Sequence, residues 1–245
     1  MSQAADAIDI PTLLKFIQYP DSDGKPKAEN TLQYQYIITI QVGLDSLFAD
    51  DPNVFVAGDL LWYPVEGRPD ISAAPDVMVA LGRPKGHRLC YKQWVEDGQA
   101  PQVVFEIISP NNTVAEMDKK LQFYERYGVE EYYEYDPQNG TLKAWLRDGA
   151  TLKNQAFVGG WQSPRLGVTL RSEPDGKLSV FGPDGRRFLP PVELAILVEQ
   201  ERQRAEQEQV RAEQEKARAE QEAARARLLA DKLRELGIDP DSLNQ

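Results

Sequence analysis

The sequence predicts a mixed α/β fold with a long helix appended at its C-terminal end, and three features carry that prediction. The first is an apolar run over 103–108, of strand length. It is followed by Asn111, Asn112 and Thr113 as candidate N-caps, a segment to Tyr127 with one apolar face, and Gly128 where a left-handed cap is expected. With a further strand over 131–135, this is a strand, helix, strand unit. The second feature is a series of short strand-like pieces with Asp-Gly turns at 148–149, 175–176 and 184–185, which predicts an antiparallel meander ending near Pro190-Pro191. The third is the stretch from Glu193 to Leu236, which holds neither Gly nor Pro and repeats Ala-Glu-Gln-Glu at 205, 212 and 219, a period of seven that signals a long helix.

The remaining elements fall between these. Residues 1–27 mix Pro, Asp and Gly with a short apolar piece at 13–17 and read as an irregular arm or a short helix. From the candidate N-cap Asn30 to Phe48, the residues Leu32, Tyr36, Ile40, Leu44 and Leu47 recur at helical spacing, and the helix ends before Asp51-Pro52. Extended pieces follow at 54–56, 60–63 and 76–80. The expected division is a domain over 1–190 and a charged helical tail over 191–245. In the tail, Val198, Ala205, Ala212, Ala219, Ala226 and Leu233 share one heptad position, while the companion position holds Arg202, Gln209 and Lys216 before Ala223 and Ala230. A coiled-coil homodimer is the expected assembly, and a solvated single helix held by Glu/Arg pairs at i,i+4 is the alternative.

Composition narrows the chemistry. The 245 residues are 41% apolar, enough for one good-sized core. No apolar run approaches the roughly 18–20 residues that span a bilayer, and no secretory leader is visible, so a cytoplasmic protein without membrane attachment is expected. One cysteine, Cys90, and one histidine, His87, exclude an internal disulfide and a His/Cys zinc site, which leaves oxygen ligands for any metal. The net charge is −11, with 19 Lys+Arg against 26 Asp+Glu over 1–190 and 9 against 13 over 191–245. Coating of nucleic acid by bulk electrostatics is excluded, and any such contact must be local.

Glu106 stands out because it interrupts Val103-Val104-Phe105-Glu106-Ile107-Ile108, a run that reads as a strand buried on both faces. A carboxylate there requires a metal, a Lys or Arg, or water at the strand's end. A glutamate paired with arginine, or exposed at a sheet edge, is the structural alternative. Asp76 follows Pro75 at the start of the apolar 77–80 piece, where an Asp alone is ordinary turn chemistry. Two carboxylates on two core strands are another matter, since Mg²⁺ takes a few hard oxygen ligands and keeps waters that can attack phosphate. The helix after Glu106 offers Lys119 and Lys120. With Val114, Met117, Leu121 and Tyr124 as its buried face, Lys120 lies about 60° from the centre and Lys119 about 160° away, so Lys120 can turn toward the sheet. A simple pairing of Lys120 with Glu116 one turn earlier is the alternative.

These residues resemble a known family. Pro75-Asp76, then Phe105-Glu106-Ile107-Ile108-Ser109-Pro110, then Lys120-x-x-x-Tyr124-x-x-x-Gly128-Val129-x-Glu131-Tyr132-Tyr133 is similar to the Uma-two family of restriction-endonuclease-like proteins, abundant in cyanobacteria and part of the PD-(D/E)XK nuclease group. The resemblance covers roughly residues 30–145, and the tail closing in 233–240 is also similar to those of many members. It implies a restriction-endonuclease-like mixed sheet flanked by helices and a Mg²⁺-dependent endonuclease, with Mn²⁺ able to take the place of Mg²⁺. Asp76 and Glu106 would bind the metal, and nucleic acid, DNA ahead of RNA, would be the partner. In the wider group a lysine two residues after the second acid orients the attacking water. Ile108 stands there in this chain, and the resemblance implies that the role has moved to Lys120.

Asp59 is a further acid, read either as a site residue or as a plain strand-end Asp. A Ser-His hydrolase would need a serine such as Ser109 to reach His87, and Cys90 reads as an ordinary buried thiol. Arg83, Lys85, Arg88 and Lys92, interleaved with Tyr91 and Trp94, read either as a nucleic-acid contact or as a solvated loop. The rival to the enzyme is a catalytically inactive module on the same fold that binds nucleic acid or protein, with the C-terminal helix mediating assembly.

Overall fold

The computed structural model describes Leu14, residues 17–22, Gly24 and residues 28–237, so most of the arm expected over 1–27 lies outside the described residues. Helix α1 (Thr31–Leu47) starts where the Asn30 side chain accepts the Gln33 N–H at 2.8 Å. It buries Gln33, Ile37, Ile40 and Leu44, while Leu32, expected on the buried stripe, is exposed. The reason is geometric. A run of four-residue steps overshoots the helix turn by about 40° each time, whereas 33, 37, 40 and 44 stay on one side.

Three strands follow α1: β1 (Val54–Ala57), β2 (Trp62–Tyr63) and β3 (Val77–Leu81). After β4 (Tyr91–Lys92) come β5 (Val103–Ile107), α2 (Val114–Tyr127) and β6 (Glu131–Asp136). Next are β7 (Thr141–Asp148), β8 (Thr151–Gln155), β9 (Trp161–Gln162), β10 (Thr169–Ser172) and β11 (Leu178–Phe181), and last α3 (Pro191–Glu235). The main sheet runs β1-β3-β5-β6-β7-β8, with β5 and β6 parallel and every other neighbouring pair antiparallel. The extended piece expected over 60–63 shortens to β2, which pairs with β4 in parallel. The expected meander divides: β7 and β8 extend the main sheet, and β9, β10 and β11 form a three-stranded sheet of their own. Tyr135 joins the two sheets, its hydroxyl donating to Gly176 O at 2.9 Å and accepting from Leu178 N at 3.0 Å.

Alternate residues of each strand face opposite sides, and each side has its own apolar cluster. Val77, Val79, Phe105, Ile107, Tyr133 and Tyr135 pack with Ile37, Ile40 and Leu44 of α1. On the other side, Met78, Val104, Tyr132 and Trp145 pack with Trp62 and with Tyr124 of α2. A capping box starts α2, with the Thr113 side chain accepting from Glu116 N and the Glu116 side chain accepting from Thr113 N. Val114, expected on its buried face, is exposed at this first turn, and the contact is made by Met117 and Tyr124. At the other end Arg147 donates to the carbonyls of Tyr124, Glu125 and Val129, and Glu125 accepts from Leu152 N at 2.7 Å, so β7 and β8 hold the C-terminal end of α2.

The chain divides into two compact units, Met1–Pro191 and Val192–Gln245. The second is the body of α3, in which no residue is buried. Three ion pairs there span three residues, Glu199–Arg202, Glu201–Arg204 and Asp231–Arg234, and Arg202–Glu206 spans four. Among the described residues no helix is long and apolar enough to cross a membrane.

Gly128 ends α2 in the left-handed region at φ 103°, and a Cβ there would stand 3.3 Å from Ala100 Cβ. Gly128→Ala is therefore expected to lower stability by about 1–2 kcal/mol, from backbone strain and the close approach together. Gly149 (φ 62°) has open space around it, so Gly149→Ala should lose less. Urea midpoints with unchanged m-values test the ranking, and equal losses would remove the Ala100 contact from the explanation.

Candidate active site

Glu106 lies on the third of the six strands and is 2% exposed. Lys120 Nζ donates to Oε2 at 2.7 Å, and the Tyr124 hydroxyl donates to Oε1 in a short contact. Both donors come from one face of α2, a turn apart, as the four-residue spacing requires. Glu106 is central in the sheet and not at an edge, and a lysine stands where the structural alternative had an arginine. Lys120 is ion-paired with Glu106, while the Glu116 carboxylate closes the capping box. Lys119 is exposed, as the helical geometry predicts.

Asp76 precedes β3, and one step beyond the Val77↔Phe105 pair places it opposite Glu106. Its Oδ2 accepts the Ile107 N–H at 2.7 Å. The Pro75 carbonyl accepts from Asp59 N at 3.0 Å, so the strand end is held by one main-chain and one side-chain acceptor. The other side of the 107 peptide is fixed as well, since Gln33 Nε2 of α1 donates to Ile107 O at 2.8 Å. Ile108, two residues past Glu106, gives its N–H to Tyr135 O at 2.8 Å.

Burial pushes the Asp76 carboxyl well above the usual carboxylate range, and the Glu106 charge adds to the push, while Lys120 and the Ile107 N–H pull the other way. Burial alone would lower the Lys120 ammonium, but Glu106 and Asp76 outweigh it and leave its pKa above the ordinary lysine value. The Tyr124 and Tyr132 hydroxyls are raised well above ten, by burial first and by Glu106 next, and remain neutral donors. Asp59, with left-handed backbone at φ 51°, adds a further negative charge felt by Asp76. Among the described residues, however, no group of three or more His, Cys, Asp or Glu side chains is placed to hold a metal ion. The donor set is thus two hard carboxylates short of positive charge, a combination that suits a small divalent cation taking its other ligands from water and phosphate.

Other expected features come apart. The Ser109 hydroxyl donates to Glu29, and His87 is exposed, so the serine–histidine arrangement is not formed. Cys90 is half-buried rather than buried, and desolvation raises its thiol. The basic loop is spent internally: Arg83 pairs with Asp97 at 2.5 Å, Arg88 with Glu96 at 2.6 Å and Lys85 with Asp45 at 3.3 Å, and Lys92 lies over the Tyr19 ring. Sequence reasoning missed Tyr124 as a polar partner and missed Gln33 altogether. For Gln33 the available signal was a glutamine four residues before Ile37, on the buried side of α1.

Removing Glu106 alone leaves the Lys120 ammonium and the Tyr124 hydroxyl beside an apolar surface. Glu106→Leu is expected to destabilise by about 2–4 kcal/mol, and adding Lys120→Met should recover part of that. Urea unfolding of the two variants measures the coupling; additive losses would mean that the ion pair is energetically idle.

The family described as Uma2, "Putative restriction endonuclease", matches residues 26–174, which contain the whole main sheet together with Asp76, Glu106 and Lys120. Among solved structures, a chain from Anabaena variabilis ATCC 29413 described as a putative nuclease is similar at 14% identity and a TM-score of 0.45, over 66% of this chain and 92% of that one. Comparison with curated proteins gives no match. Since the match spans more than half of the sequence, the chain belongs to the Uma2 family of putative restriction endonucleases.

Proposed function

We propose that this chain is a Mg²⁺-dependent endonuclease that hydrolyses phosphodiester bonds of nucleic acid, with DNA as the preferred substrate and Mn²⁺ able to replace Mg²⁺. One observation carries the reading: two acids meet across neighbouring central strands, and a lysine from the covering helix is held against one of them. Asp76 and Glu106 would hold the ion through carboxylate oxygens. When bound, such an ion supplies a polarised phosphate oxygen and a more acidic water.

The chain's own part is placement and charge. Tyr124 fixes one oxygen of Glu106. Lys120 stays charged, and its side chain is 33% exposed, open enough to meet a water or a phosphate while anchored on Glu106. On this reading it orients the attacking water and offsets charge developing on the phosphate, a service Ile108 cannot perform.

Supercoiled plasmid, single-stranded DNA and RNA with Mg²⁺ or Mn²⁺ test this directly. Cleavage is expected for the wild type and is expected to fall by about two orders of magnitude or more in Asp76→Asn/Glu106→Gln, with Mn²⁺ binding heat lost in parallel. Lys120→Met should slow cleavage while keeping the Mn²⁺ heat. Wild-type protein that cuts none of the three substrates would favour the inactive binding module.

Assembly is proposed to run through α3 as a homodimer, on the strength of its seven-residue repeat. Light scattering should give a dimer mass for the full chain and a monomer mass for a chain ending at Pro190. The same state for both would remove α3 from assembly.

A further inference from the structure

On the sheet face covered by α2, the strand register sets four charged side chains in one row. Glu106 and Glu134 are direct partners across β5 and β6, Glu134 and Lys143 across β6 and β7, and Asp76 faces Glu106 from the other side. Glu134 repeats the surroundings of Glu106. Its side chain is 5% exposed, Lys143 Nζ donates to Oε1 at 2.6 Å, and the Tyr132 hydroxyl donates to Oε2 at 3.3 Å. Lys120 and Tyr124 hold the same two roles around Glu106. These two Lys-Glu-Tyr clamps stand one strand spacing apart, about 4.8 Å, and their tyrosine rings are in contact at 5.2 Å.

Stability does not explain the second clamp. Replacing such an ion pair by apolar residues of the same size is often neutral or stabilising, and the next row on this face, Val104, Tyr132 and Trp145, is apolar core. What distinguishes the second clamp is its lysine. Lys143 is 49% exposed against 33% for Lys120, and it stands at the far end of the row from Asp76.

We propose that Lys143, positioned by Glu134, binds a second phosphate of the same substrate strand. Lys143 lies two strand steps from Glu106, a backbone separation of about 10 Å, so a nucleic-acid strand whose reacting phosphate sits at Glu106 would bring a neighbouring phosphate to the Lys143 side of the row. Glu134 is a positioning residue: it aims Lys143 and keeps it from collapsing onto Glu106. This inference rests on the nuclease reading and gives the acidic chain a local electrostatic contact beside the reacting bond.

The test is anisotropy of a fluorescein-labelled DNA duplex bound by the full-length protein across a salt series, with Ca²⁺ in place of Mg²⁺ to hold off cleavage. Lys143→Gln is expected to weaken binding roughly 3- to 10-fold and to make the salt dependence shallower by about one phosphate contact. Lys143→Arg should restore the slope, which a purely structural lysine would not govern. A Lys143→Gln variant with wild-type affinity and slope, beside a wild type whose binding is salt-dependent, overturns the role of Lys143 and leaves the nuclease reading standing. A wild type without salt-dependent binding overturns both.

Discussion

The burial of Glu106 is the constraint on which the rest of the domain depends. A carboxylate 2% exposed on a central strand requires donors that are in place as soon as the strand is covered, and both come from α2. The helix must therefore sit over β5 with Lys120 and Tyr124 turned inward. That fixes its rotation and its height, and the surrounding sequence serves the same end. Thr113 and Glu116 set the first turn, Gly128 ends the last, and Arg147 and Glu125 tie the helix end to β7 and β8. Below Tyr124, Trp62 stacks in parallel with its rings 6.3 Å apart, and Tyr132 and Trp145 continue the aromatic layer.

Features encoded within a few residues could be read from the sequence. The β5-α2-β6 unit carries its own punctuation in Thr113 and Gly128, α3 its period, and Glu106 its conflict with an apolar run. Helical rotation separated Lys120 from Lys119 because both belong to one rigid element. Tertiary choices were less visible. The stripe on α1 includes Gln33 because that amide meets the Ile107 carbonyl 74 residues away, a pairing no local pattern reports. Val114 is apolar and helical yet exposed, and Met117 and Tyr124 are the residues of α2 that are buried. Glu134 and Lys143 escaped notice because a Tyr-Glu-Tyr alternation reads as one polar and one apolar face; only the register of four strands reveals that its glutamate shares a row with Glu106.

Electrostatics follows the same division between local and distant order. The loop over 83–92 has the composition of a phosphate-binding surface, but acids at 45, 96 and 97 return to it in the fold and satisfy its cations. Charge that is neutralised on the surface at short range has little reach at physiological salt. The row on the α2 face is different, because it is half-enclosed and unequal in sign: three carboxylates face two lysines, and Asp76, raised first by burial, is pushed further by the Glu106 charge. On the proposed nuclease reading, a cation at the carboxylate pair would tie electrostatic recognition of phosphate to that pair.

Carrying the lysine on α2 instead of on β5 changes what holds the site together. Acids on adjacent strands keep their separation through the ladder, and Asp76 is even part of it through the Ile107 N–H. A lysine two residues along the same strand would inherit that rigidity. Lys120 does not; its distance from Glu106 depends on how α2 is seated, and the seating depends on the cap at Thr113 and on Arg147 of β7, which holds the other end of the helix. The ion pair is therefore both the product of that packing and one of its causes. On the proposed nuclease reading, Asp76 and Glu106 would hold a cation that supplies the positive charge the pair lacks, and the seating of α2 would keep the Lys120 ammonium anchored on Glu106 beside it.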